Sequence, residues 1–294
     1  MIDRTPAINH DRLSVIVALI LLALALIPLI NAPGRTVGGS VLGSELDIPI
    51  TPAGLITLLA AGLACAGVDV LIRAHPRVRS GQAGPTFIFW IVPALAVMAA
   101  SQWLGHASGQ VWLEQLIAPA LGRDAITGKV WALQLLLSGI VLWIIIRAEY
   151  GTVDPDASAA GRWRLLLNVI AYGLAFFLFA LIWQTRIRSL ITATLAAIAA
   201  LFLSIDVMWA TRAGARRVVL HSLAVALVIG ECAWALNYWR ANVATASLAL
   251  VLIFYGLSGV AAQQLFGKLT RRVLIEFGVV LAAAIALLVI GAPK

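Results

Sequence analysis

Nine stretches of this chain each stay apolar for nearly as many residues as a helix needs to cross a hydrocarbon core about 30 Å thick, roughly 20. They cover residues 13–32, 51–72, 87–104, 130–146, 165–184, 190–210, 218–239, 243–266 and 273–290. Most are bounded by Arg, Lys, Pro or Gly. Hydrophobic residues make up 62% of the chain and charged residues 12%, against about 25% charged in a soluble domain. So much apolar side chain cannot be hidden inside one globule. A soluble enzyme, a disordered protein and a disulfide scaffold are therefore excluded. The expectation is an all-α, polytopic integral membrane bundle of about nine transmembrane helices, forming one domain over residues 1–294. Residues 13–32 are read as a retained helix. The run is longer than a secretory signal core, and its exit lacks a small-residue cleavage pattern.

The net charge is +8. In a soluble protein that would suggest nucleic acid. Here the bases sit at the ends of apolar runs, and no nucleic-acid motif is present. Their expected partner is the bilayer, through anionic headgroups at the cytoplasmic face. Assigned to alternate sides, fourteen bases fall with the amino terminus, in clusters such as Arg73, Arg77 and Arg79 or Arg212, Arg216 and Arg217. Seven fall on the other side. The positive-inside rule then places the amino terminus in the cytoplasm and the carboxyl terminus outside, in a multi-pass protein of the cell membrane. Nine of the ten tryptophans fall near helix ends, as an aromatic belt requires; Trp234 sits deeper.

The connections at 185–189 and 240–242 are short enough for tight hairpins. The outer segment 33–50 is rich in Gly and Ser and reads as a loop. The outer segment 106–129 carries apolar residues at helical spacing and reads as a short amphipathic surface helix. The inner loop 148–162, with Glu149, Asp154 and Asp156, reads as mobile. Three rows of small residues suggest close helix packing: Gly62 and Ala66; Thr192, Ala196 and Ala200; Gly278, Ala282 and Ala286. They mark their helices for the bundle centre or, alternatively, for a homodimer face.

Ionisable groups inside lipid are costly, so each is a candidate site. At ~1.5 Å per residue from the nearest inner arginine, Asp69, Asn168, His221 and Glu276 lie ~6 Å deep and Asp206 ~9 Å. This cytoplasmic-side polar layer reads either as juxtamembrane pairing, Asp69 with Arg73 and Glu276 with Arg272, or as a polar vestibule. Glu231 lies ~21 Å in, with no base within two turns before it. With Gln134 and Asn237 it forms a candidate intramembrane polar site, either proton- or cation-linked or a buried contact holding helices in register.

Other chemistries find little footing. Only His221 of the four histidines lies in a span, which argues against a bis-histidine haem. No Cys/His cluster has metal-ligand spacing, and no cofactor or metal is expected. Cys65 and Cys232 fall at different depths. All three lysines are peripheral. The string Gly256-Leu257-Ser258-Gly259 resembles the serine motif of rhomboid intramembrane proteases, which implies a Ser/His dyad. No histidine follows Ser258, and a nucleophile without a base is not activated. The functional expectation is a small-solute or ion transporter with an intramembrane carboxylate. The alternatives are a non-catalytic accessory subunit with membrane-protein partners, and a lipid-acting membrane enzyme using the polar layer. Catalysis is the less favoured reading.

Overall fold

Several helices begin where the sequence supplies a cap. Asn9 accepts a hydrogen bond from the Arg12 amide at 3.1 Å and starts α1, His10–Ala25, which a 3-10 turn prolongs to Leu29. Thr51 accepts from the Gly54 amide at 3.1 Å, with Pro52 in the first turn, and starts α2, Pro52–Arg73. A short helix α3, Pro76–Arg79, and a 3-10 turn, Thr86–Trp90, lead to α4, Ile91–Gly105. Then come α5, Val130–Thr152, α6, Ala160–Gln184, α7, Ser189–Trp209, and α8, Ala215–Leu236. Asn242 caps α9, Val243–Leu265, by accepting from Thr245 at 2.7 Å, and Thr270 caps α10, Arg271–Gly291, by accepting from Val273. This computed structural model describes residues 9–30, 34–41, 44–81, 84–105, 129–154, 156–184, 189–239 and 241–291.

The protein is a polytopic helical membrane bundle. Among the described residues, eight helices are long and apolar enough to span a membrane. They match the first eight expected spans. The ninth, 273–290, coincides with α10, a helix of 21 residues, which at ~1.5 Å per residue also reaches across the core.

The chain divides into two compact units, Met1–Ala160 and Gly161–Lys294. In the first, α1 packs on α2 and α5, and α4 packs on α2 and α5. Leu13 and Val17 of α1, Val68, Leu71 and Ile72 of α2, and Ile146 and Tyr150 of α5 form one apolar cluster. Glycine permits that approach: a Cβ on Gly139 would sit 2.7 Å from Leu21 Cδ1. In the second unit, α7 and α8 form the most extensive pair, α9 packs on both, and α10 packs on α9. Trp183 of α6 lies against Ala241 and Ala246, beside the α8–α9 hairpin.

Several expectations need correction. Segment 33–50 is not a plain loop. Arg35–Val41 and Ser44–Ile50 form an antiparallel hairpin, β1–β2, in register from Arg35↔Ile50 to Val41↔Ser44. Thr36, Val37, Val41, Ile48 and Ile50 are strand formers, and the glycines among them hid that pattern. The inner loop 148–162 is shorter than expected, because α5 runs on to Thr152 and an ion pair with Arg77 engages Asp154 just beyond it. Of the three small-residue rows, only Thr192, Ala196 and Ala200 are buried. Gly62, Ala66, Gly278, Ala282 and Ala286 are exposed; α2 packs instead through a different face, with Ala60, Ala61 and Ala64 beside Val68, Leu71 and Ile72. The amphipathic helix expected at 106–129 and the 185–189 turn lie almost wholly outside the described residues.

Candidate functional site

Arg164 and Asn168 stand one turn apart near the start of α6, on one face of the helix. Asp206 stands in the last turn of α7. Asp206 is 0% exposed and the Arg164 side chain 18% exposed. The Arg164 guanidinium reaches Asp206 twice. Nη1 lies 3.5 Å from Oδ1, and Nη2 donates to the Asp206 backbone carbonyl. Helix α7 offers the negative end of its dipole there, which also favours the cation. Arg164 Nε and Asp206 Oδ2 are buried without a hydrogen-bond partner among the described residues, and so is Asn168 Oδ1, one turn along α6. Buried polar atoms are nearly always paired, so the Arg164–Asp206 pair is marked as a candidate site.

The other charged or titratable members of the expected polar layer have partners of their own. On α8, His221 Nδ1 hydrogen-bonds the Arg217 carbonyl of its own helix at 2.8 Å. Glu276 accepts from Arg272 Nε at 3.0 Å on α10, with both side chains exposed. In the first unit, Asp69 pairs with Arg73 at 2.5 Å and accepts from Thr86 Oγ1 at 3.0 Å. The i,i+4 pairs read from the sequence are therefore present, and Asp206 takes its partner from the neighbouring helix.

Of the deeper trio, Glu231 is exposed on the surface of α8. Asn237 donates from its amide to the Ala233 carbonyl at 3.1 Å, within its own helix region. Gln134 belongs to the first unit, where it is fully buried and donates to the Trp103 carbonyl at 3.4 Å. Cys65 and Cys232 are free thiols.

The first unit holds a second polar assembly that the sequence reading missed. Arg77 Nη1 pairs with Asp154 and, at 2.9 Å, with Asp156, tying the α2–α3 turn to the segment after α5. Asp154 also accepts from the Asp156 amide at 3.2 Å. Beside it His75, 3% exposed, caps α3: its Nδ1 accepts from the Arg77 amide at 3.2 Å. Its ring meets Tyr150 edge-on at 4.9 Å. Burial lowers the His75 pKa below its ordinary value, with Asp154 opposing and Arg77 adding to the shift. The Arg77 pKa is raised, chiefly by its hydrogen bond to Asp156. Glu149, one turn before Val153, is fully buried on α5; a helix that outlasts its apolar run gave no hydropathy signal for it. For Arg164 a signal existed. An arginine four residues before an asparagine at an inner helix end points two polar groups the same way, whereas a count of charges uses the arginine only as a marker of sidedness.

The serine string has a packing explanation. Ser258 is fully buried, 3.1 Å from the Tyr172 hydroxyl, and donates to the Tyr255 carbonyl at 3.3 Å. A Cβ on Gly259 would lie 2.5 Å from Phe277 of α10, so this glycine admits a ring.

In comparison with known proteins, the model of a family described as protein of unknown function (DUF5656) matches residues 32–291. No curated protein and no solved structure matches the chain.

Proposed function

The chain belongs to the DUF5656 family, and from that premise we propose that it moves a small solute or ion across the membrane, with Asp206 as its intramembrane carboxylate. One observation carries the reading: a fully buried carboxylate that faces a guanidinium from the neighbouring helix and keeps an oxygen unmatched among the described residues. An ionisable group at helix depth costs on the order of 3 kcal/mol on insertion scales and is seldom idle. Arg164 offsets part of that cost, and a carboxylate held this way is poised to change its protonation or its partner during transport. The test is flux. Vesicles holding the purified chain should pass at least one small solute or ion faster than protein-free vesicles. Asp206→Asn, nearly isosteric, should lower that flux about tenfold with the elution profile unchanged. Flux equal to that of empty vesicles for every species overturns the reading.

A separate observation favours the accessory-subunit alternative. Glu231 is exposed on an apolar helix, and a carboxylate facing lipid is as costly as one buried without a partner. A second membrane chain would relieve it. Glu231→Leu should then dissociate an assembly visible by native mass spectrometry; a wild-type chain that is monomeric in the membrane removes this alternative.

Our placement is the cell membrane, with the amino terminus and its fourteen associated bases in the cytoplasm. Nine crossings put the two termini on opposite sides and eight put them on the same side, so a reporter at each end decides whether α10 spans.

A further inference from the structure

We propose that the second unit, at the end where α6, α8 and α10 begin, carries a cationic face that holds a shell of anionic phospholipid headgroups, and that the first unit has no such face. This contact is independent of whether the chain moves a solute.

The two units differ in how their bases are balanced. At the end of the first unit where α1 begins and α2 and α5 finish, the described residues hold five bases and five acids. Arg73 pairs there with Asp69, and Arg77 with Asp154 and Asp156. At the end of the second unit where α6, α8 and α10 begin stand eight bases and only two acids, Asp206 and Glu276. Both acids are already engaged, by Arg164 and Arg272. Arg162, Arg216, Arg217, Lys268 and Arg271 are exposed and have no acid partner among the described residues. The positive-inside rule sets bases on one side of a membrane. It gives no reason for acids to cancel them in one unit and not in the other. An unbalanced excess repels itself, and anions drawn to it relieve that repulsion.

The neighbours of these bases select lipid from among anionic partners. Arg162 is followed by Leu165, Arg217 by Leu220 and Arg271 by Leu274, and all three leucines are exposed. Residues three apart share a helix face. Because α6, α8 and α10 all begin at this end, the leucine of each pair lies deeper than the arginine. A phospholipid matches that order, with its phosphate at the guanidinium and its acyl chains on the leucine. A soluble acidic segment would match the bases and leave the apolar residues unused. Shell lipids are separate molecules, so the bases act one by one and need not converge on a point.

The experiment uses the full chain in nanodiscs of equal parts phosphatidylcholine and phosphatidylglycerol. After release into mild detergent, native mass spectrometry counts the lipid still bound. The wild-type chain should keep phosphatidylglycerol in preference to phosphatidylcholine, and raised salt should weaken that preference. Arg216→Gln with Arg217→Gln should lower it severalfold, as should Lys268→Gln with Arg271→Gln, since one base near an anionic surface contributes about fivefold in affinity. Arg12→Gln with Arg79→Gln removes two exposed bases of the first unit and should leave it unchanged. Arg216→Lys with Arg217→Lys keeps the charge and should keep the preference. A wild-type chain with no preference overturns the inference, and so does a preference that raised salt leaves intact. An equal loss from the first-unit variant also overturns it, because net charge and not this face would then hold the lipid. Polyglutamate bound by the wild-type chain in nanodiscs of phosphatidylcholine alone, with no preference for phosphatidylglycerol in the mixture, would replace lipid with an acidic polypeptide as the partner. The salt response of the wild-type chain keeps the test decisive if a glutamine variant fails to fold.

Discussion

In the first unit two carboxylates, Asp154 and Asp156, share the single guanidinium of Arg77, at a place where their side chains are 32% and 66% exposed. In the second unit one carboxylate, Asp206, faces one guanidinium with no exposure of its own. The residue types are the same, and the surroundings reverse their meaning. Near the surface, solvent screens the charges and satisfies leftover valences, so such a pair contributes little. Inside, desolvation is large, and removing one partner strands the other at about 3–5 kcal/mol. The Arg77 assembly therefore orders a loop at little energetic risk. The Arg164 assembly puts the second unit at risk if the cation is lost and Asp206 stays buried and charged, which makes it a poor choice as mere fastening.

The sharpest way to break this comparison is Arg164→Leu. Asp206 then keeps its burial and loses its cation. The expected cost is about 3–5 kcal/mol, read as a large fall in the thermal midpoint of the purified chain. Arg164→Leu combined with Asp206→Asn should recover part of the loss, because no buried charge remains. Arg77→Leu should fall short of this cost. Equal losses at the two arginines would show that depth is not what separates the two assemblies.

The sequence made the helices legible because the bilayer imposes one periodicity-free requirement, length of apolar run, and eight of the nine runs meet it again in the structure. It made the i,i+4 pairs Asp69–Arg73 and Arg272–Glu276 legible because both partners stand on one helix. It could not show that Arg164 meets Asp206, 42 residues away. Such a partnership depends on how two helices rotate and lean, and hydropathy carries no information about rotation. The same limit hid which small-residue rows face inward: Ala196 and Gly278 look alike in sequence, but only Ala196 is buried. The β1–β2 hairpin escaped because Gly and Ser diluted an alternation that only pairing makes visible. Glu149 escaped because α5 extends beyond the run that announced it.

A smaller effect probes the surface assembly through pH. His75 is uncharged at Nδ1, where it accepts from the Arg77 amide, and its pKa lies below the ordinary 6.5, mainly through burial. The folded chain therefore holds this proton less well than the unfolded chain. Its contribution to stability is complete above pH 6.5 and declines as the pH falls below that value toward the folded pKa. Protonation also turns the cap from acceptor to donor and loosens the turn that presents Arg77 to Asp154 and Asp156. The thermal midpoint should drop between about pH 7.5 and about pH 5.5. In His75→Asn, whose side chain also caps helices, that part of the slope should vanish. An unchanged slope would mean that His75 does not couple to the clamp.

The smallest effect expected is at Glu276, and it is informative for that reason. Glu276 and Arg272 are 59% and 89% exposed at the start of α10. An exposed i,i+4 pair is worth about 0.2–0.5 kcal/mol, so Glu276→Gln should move the thermal midpoint barely beyond measurement error. Asp69→Asn should cost somewhat more, because Asp69 is less exposed and also accepts from Thr86. The order Glu276, Asp69, Asp206 is thus an order of increasing burial at similar distance from the inner helix ends, and cost should rise along it. If Glu276→Gln instead costs as much as removing Arg164, the exposed side of α10 must be covered in the membrane by something other than lipid. The pairing of α10 with α9 alone would then be insufficient to describe where the last helix sits.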